Sequence, residues 1–318
     1  MSTPHDPLEP PPDQPAETWG TQAAMPSCVR HPDRPTGLRC TRCDRPACPE
    51  CLREASVGYQ CVDCVNEGRR STRQARTVAG AGLSQRLVVV PILIALNVLV
   101  FVITVAQAHS LGNNGNSKLS EDWWLWPPIV AGGEWWRLFT AGFLHSGPVH
   151  IALNMIALYM LGRELEPVLG RVRFTAIYLI SLLGGSTSVF LFGGDAPVVG
   201  ASGAVFGLMG AILVVVLRLR LNPRPVLMIV GINVFISVAV PNISLLGHLG
   251  GLAVGAIATA ALVYAPRKSR LAWQAGTLVA LTIALVGLIM VRDAQFGPLR
   301  CERNPVVVMQ CEPVSQGR

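Results

Sequence analysis

A serine set among glycines, Gly200-Ala201-Ser202-Gly203, opens one long apolar run of this chain, and His248, in Gly247-His248-Leu249-Gly250-Gly251, lies near the start of another. A serine hydroxyl beside a neutral imidazole can carry out acyl transfer: the imidazole takes the hydroxyl proton as the oxygen attacks a carbonyl carbon, then returns it to the leaving amine. Glycines around the serine remove side chains that would block attack, and a helix N-terminus offers free backbone N–H groups. His150 and Asn154 stand four apart at the head of a third apolar run and share one helical face. Both can donate to the oxyanion of a tetrahedral intermediate, together with the Ser202 N–H; losing one such donor typically costs about 3 kcal/mol. Taken alone, Ser202 reads better as part of a small-residue packing stripe with Gly203, Gly207 and Ala211. The histidine reverses that preference. No acidic residue is placed to complete a triad, so a Ser202–His248 dyad is expected, with Phe206, one turn on, packing against the imidazole. His145 reads as an organiser of the loop before His150.

A second chemistry lies near the N-terminus. Seven of the nine cysteines fall between 28 and 64, as Cys28-x2-His31, Cys40-x2-Cys43, Cys48-x2-Cys51 and Cys61-x2-Cys64. Each pair can hold one ion from a single tight turn, and eight ligands suffice for two tetrahedral zinc ions. The segment is too short for much of a core, so metal would supply its folding free energy. Cys301 and Cys311 lie far away, near the C-terminus, and a disulfide between them is expected.

Of the 318 residues, 51% are hydrophobic and 14% charged, which is too apolar for an ordinary soluble protein. The mean hydropathy of +0.44 agrees. Seven stretches approach the roughly 20 residues needed to span a bilayer: 87–108, 147–163, 172–192, 200–219, 225–241, 243–264 and 271–291. Polar groups inside such segments are costly and usually functional. Arg163, Arg171 and Arg173, then Arg218, Arg220 and Arg224, then Arg267, Lys268 and Arg270 mark alternate loops, as do the arginines from Arg69 to Arg86 ahead of span one. By the positive-inside rule these face the cytoplasm, giving a cytoplasmic N-terminus and an extracytoplasmic C-terminus. Spans two, four and six then start on the outer side, so His150, Asn154, Ser202 and His248 share one depth. With no cleavable signal peptide in the first 86 residues, span one is expected to act as a signal anchor. The net charge of +7 is largely these flanking residues, which serve topology and anionic headgroups; no nucleic acid is expected. Five of the seven tryptophans, Trp123, Trp124, Trp126, Trp135 and Trp136, fall in the first external loop and place it in the outer interface.

The order of Trp136-Arg137, His145 with His150 and Asn154, Gly162 with Glu166, Gly200-Ala201-Ser202-Gly203 and Gly247-His248-Leu249-Gly250-Gly251 resembles the rhomboid family of intramembrane serine proteases. The resemblance implies Ser202 and His248 as catalytic dyad and His150 and Asn154 as oxyanion-stabilising positions. It also implies substrates that are single-span membrane proteins, with a small residue before the cut. Where many relatives have tyrosine one turn after the serine, this chain has Phe206, which keeps a ring and loses a hydroxyl. The cysteine-rich segment resembles a B-box type zinc finger, which implies interleaved pairing: Cys28, His31, Cys48 and Cys51 on one ion, Cys40, Cys43, Cys61 and Cys64 on the other. Sequential pairing fits the spacing as well. Such modules generally bind protein partners.

The expected architecture is an all-α polytopic membrane protein: a rhomboid-like six-helix core plus one C-terminal transmembrane helix, preceded by a small zinc-binding domain. Its parts are a disordered Pro-rich tail (1–26), the B-box type domain (27–66), a basic linker (67–86), the core (87–264), the extra helix (265–292) and an extracytoplasmic tail (293–318). The expected function is intramembrane endopeptidase, cutting transmembrane substrates near the outer face of the cell membrane. The competing reading is a non-catalytic adaptor that binds transmembrane helices and recruits a cytoplasmic partner through its zinc finger. A transporter would call for deeply buried charges or inverted repeats, and neither is evident.

Overall fold

A computed structural model of the chain describes residues 24–71, 76–83, 86–194, 196–302 and 310–313. Most of the Pro-rich segment 1–26 lies outside the described residues. These residues form two compact units, one within 24–71 and one from 76 onward.

The first unit is built from short hairpins. β1 (Ser27–Cys28) pairs with β2 (His31–Pro35), setting Cys28 opposite His31. A single helical turn over Pro49–Cys51 leads into β3 (Leu52–Glu54), which pairs antiparallel with β4 (Tyr59–Cys61). α1 (Val62–Ser71) follows. The core is little more than Ala47, Leu52 and the buried cysteines. α1 outruns the expected boundary at 66. Asp63 in its first turn and Arg69 and Arg70 in its last suit the helix dipole, and no proline stands between them.

The second unit holds seven long helices at the seven apolar stretches. α2 (Val89–Ala108) comes first. The loop after α2 then forms three short helices, α3 (Lys118–Trp123), α4 (Pro127–Ala131) and α5 (Arg137–Thr140). α6 (Pro148–Leu169), α7 (Arg171–Phe192), α8 (Ser202–Arg218), α9 (Arg224–Ala239), α10 (Leu245–Val263) and α11 (Arg270–Phe296) complete the bundle. α2, α7, α10 and α11 are each long and apolar enough to cross a membrane. α6 does so together with the segment Arg137–Phe143, bent from it by 95°. α8 and α9, at 17 and 16 residues, are shorter.

α6 continues six residues past its expected end at 163, and Glu166 in that added stretch is buried. The Glu166 carboxylate accepts the N–H groups of Val88, Val89 and Val90 at 2.8, 3.0 and 2.9 Å. These are orphan donors at the start of α2, so Glu166 caps a neighbouring helix from within the bundle. Part of the expected linker also belongs to this unit: Ala79 is in its core, and the Gln274 side chain donates to the carbonyls of Ala79 and Leu262.

α7, α8 and α10 form the centre. A Cβ on Gly251 or Gly255 would run into the carbonyl oxygens of Gly203 and Gly207, so α8 and α10 meet backbone to backbone. α9 flanks them, and most of its side chains are exposed, Met228, Phe235 and Val238 among them. In the loop between α2 and α6, Arg137 is fully buried. Its guanidinium pairs with Glu134 at 2.6 Å and donates to the carbonyls of Glu121 and Trp124. Beyond α11, β5 (Leu299–Glu302) pairs with β6 (Gln310–Pro313), and the expected disulfide joins Cys301 to Cys311 across that pair.

Candidate active site and metal sites

Ser202 is the first residue of α8, and His248 lies in the first turn of α10. His150 and Asn154 occupy the first two turns of α6. All four line one open cleft of ≈ 1070 Å³. His248 and Asn154 are buried, whereas Ser202 and His150 are half-buried. Phe206 stacks on the His248 imidazole, centroids 4.0 Å apart and planes within 12°. Among the described residues no hydrogen bond joins Ser202 to His248, so the fold brings them to one cleft without linking them. A smaller cavity of ≈ 30 Å³ adjoins Ser202 and is lined in part by Gly185, Ser186 and Gly247.

Gly200 fits the serine and His150 together. Its φ of +128° is one that side chains rarely adopt. A Cβ there would stand 2.8 Å from His150 Nε2 and 3.6 Å from Ser202 Oγ, so the imidazole edge and the hydroxyl flank a space only glycine leaves open. The Ser146 backbone N–H donates to His150 Nδ1 at 3.3 Å. In the neutral ring the proton is therefore on Nε2, the atom nearest Gly200. Asn154 Nδ2 donates one hydrogen to the His150 carbonyl at 3.0 Å, which leaves its second hydrogen for another acceptor.

Two residues that sequence reasoning passed over support this arrangement. Asn114, fully buried, donates to the His145 carbonyl at 2.7 Å and to Thr104 Oγ1 at 2.9 Å, and accepts from the Gly147 N–H at 2.9 Å. It holds the loop ahead of α6, where buried His145 sets its ring edge-on to His150 at 5.1 Å. The other is Ser237 of α9, whose Oγ lies 2.7 Å from His248 Nδ1. Their signal was available as polar residues within or next to apolar runs, but nothing local told which neighbour they meet.

In the first unit the eight ligands gather as Cys28, His31, Cys48 and Cys51, and as Cys40, Cys43, Cys61 and Cys64. This is the interleaved arrangement. Two thiolates sharing a zinc ion at about 2.3 Å in a tetrahedron stand about 3.7 Å apart. Cys43 and Cys61 sulfurs are separated by 3.8 Å, and His31 Nδ1 lies 3.4 and 3.3 Å from the sulfurs of Cys48 and Cys51. The donor sets and spacings fit a metal ion in each. Backbone N–H groups of Cys48 and Arg30, with the His31 ring, hold the Cys28 thiol down at about 6 against its burial. Burial pushes Cys51 up to about 11 and Cys64 up to about 12. Each cluster thus contains a thiol that a metal ion would have to deprotonate.

Residues 132–265 match the rhomboid domain family. Rhomboid protease GluP of Bacillus subtilis is 43% identical over 139 residues, which is 42% of this chain and 27% of that protein. RHOMBOID-like protein 6, mitochondrial, of Arabidopsis thaliana is 40% identical over 137 residues, 41% of this chain and 44% of that protein. RHOMBOID-like protein 7 of Arabidopsis thaliana is 34% identical over 168 residues, 48% of this chain and 52% of that protein. The chain thus spans between about a quarter and a half of the length of these relatives. The matched segment includes Ser202, His248, His150 and Asn154 of the cleft, and the chain, a multi-pass membrane protein, carries a rhomboid domain over those residues.

Proposed function

We propose that the protein is an intramembrane serine endopeptidase that cuts transmembrane proteins with a Ser202–His248 dyad. The observation that carries this is the single cleft lined by Ser202, His248, His150 and Asn154, in which Phe206 fixes the plane of the imidazole. His248 Nε2 takes the Ser202 proton as Oγ bonds to the scissile carbonyl carbon, and the carbonyl π pair becomes the oxyanion. His150 Nε2–H, the second hydrogen of Asn154 Nδ2 and the Ser202 N–H donate to that oxyanion. Collapse expels the amine, which takes the proton from His248, and leaves an acyl-enzyme. Water attacks it with His248 again as base, releasing the carboxyl product and restoring Ser202. A serine–histidine hydrogen bond of this kind often tightens only once substrate is bound.

A transmembrane helix hides its carbonyls in its own hydrogen bonds, so the scissile segment must unwind before attack. The ≈ 30 Å³ cavity adjoining Ser202 supports a small residue before the cut. The basic loops support a cytoplasmic N-terminus, which puts the cleft toward the outer face and the two zinc ions in the cytoplasm, where the first unit can bind a protein partner.

The test combines a serine-directed fluorophosphonate with cleavage of a single-span substrate in vesicles, comparing wild type, Ser202→Ala and His248→Ala. The reading expects labelling and cleavage in wild type only. Equal labelling of all three overturns the dyad, and substrate binding without cleavage by wild type would favour the adaptor.

A further inference from the structure

The base proposed above needs more than proximity: its Nε2 must carry a lone pair. A neutral imidazole has two tautomers, and only the Nδ1–H form leaves Nε2 as acceptor toward Ser202. Which form prevails is decided at the opposite nitrogen, and there the partner is Ser237 Oγ at 2.7 Å. A hydroxyl can donate one proton and accept others, so the direction of this bond is not free. Ser237 Oγ also lies 2.7 Å from the Asn233 carbonyl, one turn back on α9. A carbonyl oxygen can only accept. The single Ser237 proton is therefore committed to Asn233, and Ser237 meets His248 with a lone pair. That contact is a hydrogen bond only if His248 Nδ1 carries the proton.

We propose that Ser237 is a positioning residue that fixes His248 as its Nδ1–H tautomer and so presents Nε2 to Ser202 as the general base. Two independent features of the structure agree. Ser237 is the one buried residue of α9, a helix otherwise largely exposed, so its inward placement is the exception along that helix. Phe206 stacks flat on the ring and restrains its plane, but a hydrocarbon face cannot choose between tautomers. With no carboxylate facing His248 among the described residues, the hydroxyl bonded back to Asn233 does the orienting work that an acidic residue does in a triad.

This inference rests on the dyad reading, and the experiment separates the two. Full-length protein is compared as wild type, Ser237→Ala and Ser237→Thr, with Ser202→Ala and His248→Ala as controls. The rate of fluorophosphonate reaction is measured because the small probe reports on Ser202 activation without requiring a transmembrane substrate to enter. Ser237→Ala leaves a buried donor without its acceptor or frees the ring to change tautomer, and should slow the reaction by roughly tenfold to a hundredfold. Ser237→Thr keeps the hydroxyl and should retain a rate within about threefold of wild type. Nitrogen-15 NMR of ring-labelled histidine, with the His248 signals assigned by their loss in His248→Ala, should report the Nδ1–H form in wild type and a changed ratio in Ser237→Ala. A merely structural Ser237 would alter thermal stability or the KM for a transmembrane substrate while leaving probe rate and tautomer unchanged, and that result overturns the proposal. So does an Nε2–H His248 in wild type, which needs no variant to fold. If Ser202→Ala reacts like wild type, the dyad itself has failed.

Discussion

Replacing Gly200 by alanine tests the geometry of the site most directly. The new Cβ would stand 2.8 Å from His150 Nε2 and 2.9 Å from Cε1, where unbonded heavy atoms rest at about 3.5 Å. One of two things must yield, the imidazole or the backbone that carries Ser202, by roughly half an ångström or more. The backbone cost comes on top, because φ of +128° in a residue with a side chain costs about 1–3 kcal/mol. A displacement of the order of 1 Å can cost about 100-fold in rate, and loss of one oxyanion donor costs about as much or more. Gly200→Ala should therefore lower kcat on a single-span substrate by at least about 100-fold while destabilising the fold only modestly. The sharper test is a double-mutant cycle with His150→Ala. Once the ring is gone the clash is gone, so Gly200→Ala should then cost no more than about tenfold, the residue of backbone strain. Cleavage in vesicles gives kcat, and thermal unfolding in detergent gives the stability change. If the two substitutions multiply independently, or if Gly200→Ala cuts at the wild-type rate, His150 and Ser202 do not share the space assigned to them.

Three further outcomes follow from the same packing. Glu166→Gln removes the charge and at least one acceptor from three N–H groups at the start of α2, and should destabilise the bundle by roughly 2–4 kcal/mol in denaturant unfolding; a change below about 0.5 kcal/mol would mean that α2 does not depend on this cap. Arg137→Lys cannot reproduce the fork that reaches Glu134 and two carbonyls, so hydrogen exchange across α3 to α5 should rise by about tenfold while the far ends of α10 and α11 stay protected. Metal analysis should find two ions per chain in wild type and one in Cys40→Ser, Cys61→Ser. Because Cys51 and Cys64 are protonated at neutral pH, each ion should displace at least one proton and bind more tightly as pH rises; pH-independent uptake would contradict the cluster assignments.

The positions of the seven helices were readable in the sequence because each apolar run is set off by loops rich in charge, glycine or proline. Their ends were less so. In the sequence, span two ends at 163, and only the N-terminus of α2, nearly eighty residues away in sequence, shows why Glu166 beyond that end is inside. Ser202, His248, His150 and Asn154 stood out for the opposite reason: polar groups at the heads of apolar runs have few structural uses. Ser237 carries the same kind of signal but sits mid-run beside Asn233, where a serine bonded to its own helix is commonplace. Metal-ligand types were plain from spacing, whereas the pairing was not. It is decided by the β1–β2 hairpin, which turns Cys28 toward His31, and by the Val29 N–H bond to the Pro46 carbonyl, which holds the segment ahead of the third pair against the first.

Two of the histidines that line the cleft, His150 and His248, illustrate how the same side chain is given opposite tasks. His150 accepts a backbone N–H at Nδ1, so its Nε2 is a donor. His248 faces a lone pair at Nδ1, so its Nε2 is an acceptor. An oxyanion needs the first and a serine nucleophile the second, and exchanging the two tautomers would disable both. Neither choice needs a charged partner, which would be costly to hold in an apolar bundle. A backbone amide and a serine hydroxyl suffice, because each has its own proton already committed in direction. The spacing between Ser202 and His248 is then left to α8 and α10, whose backbone contact at Gly203–Gly251 and Gly207–Gly255 has no side chain through which to relax. Orientation and distance are thus set by different elements, and a substitution in α9 should disturb the first without the second. That separation is what allows Ser237→Ala to change the His248 tautomer and reaction rate while leaving the α8–α10 contact, and with it most of the fold's stability, intact.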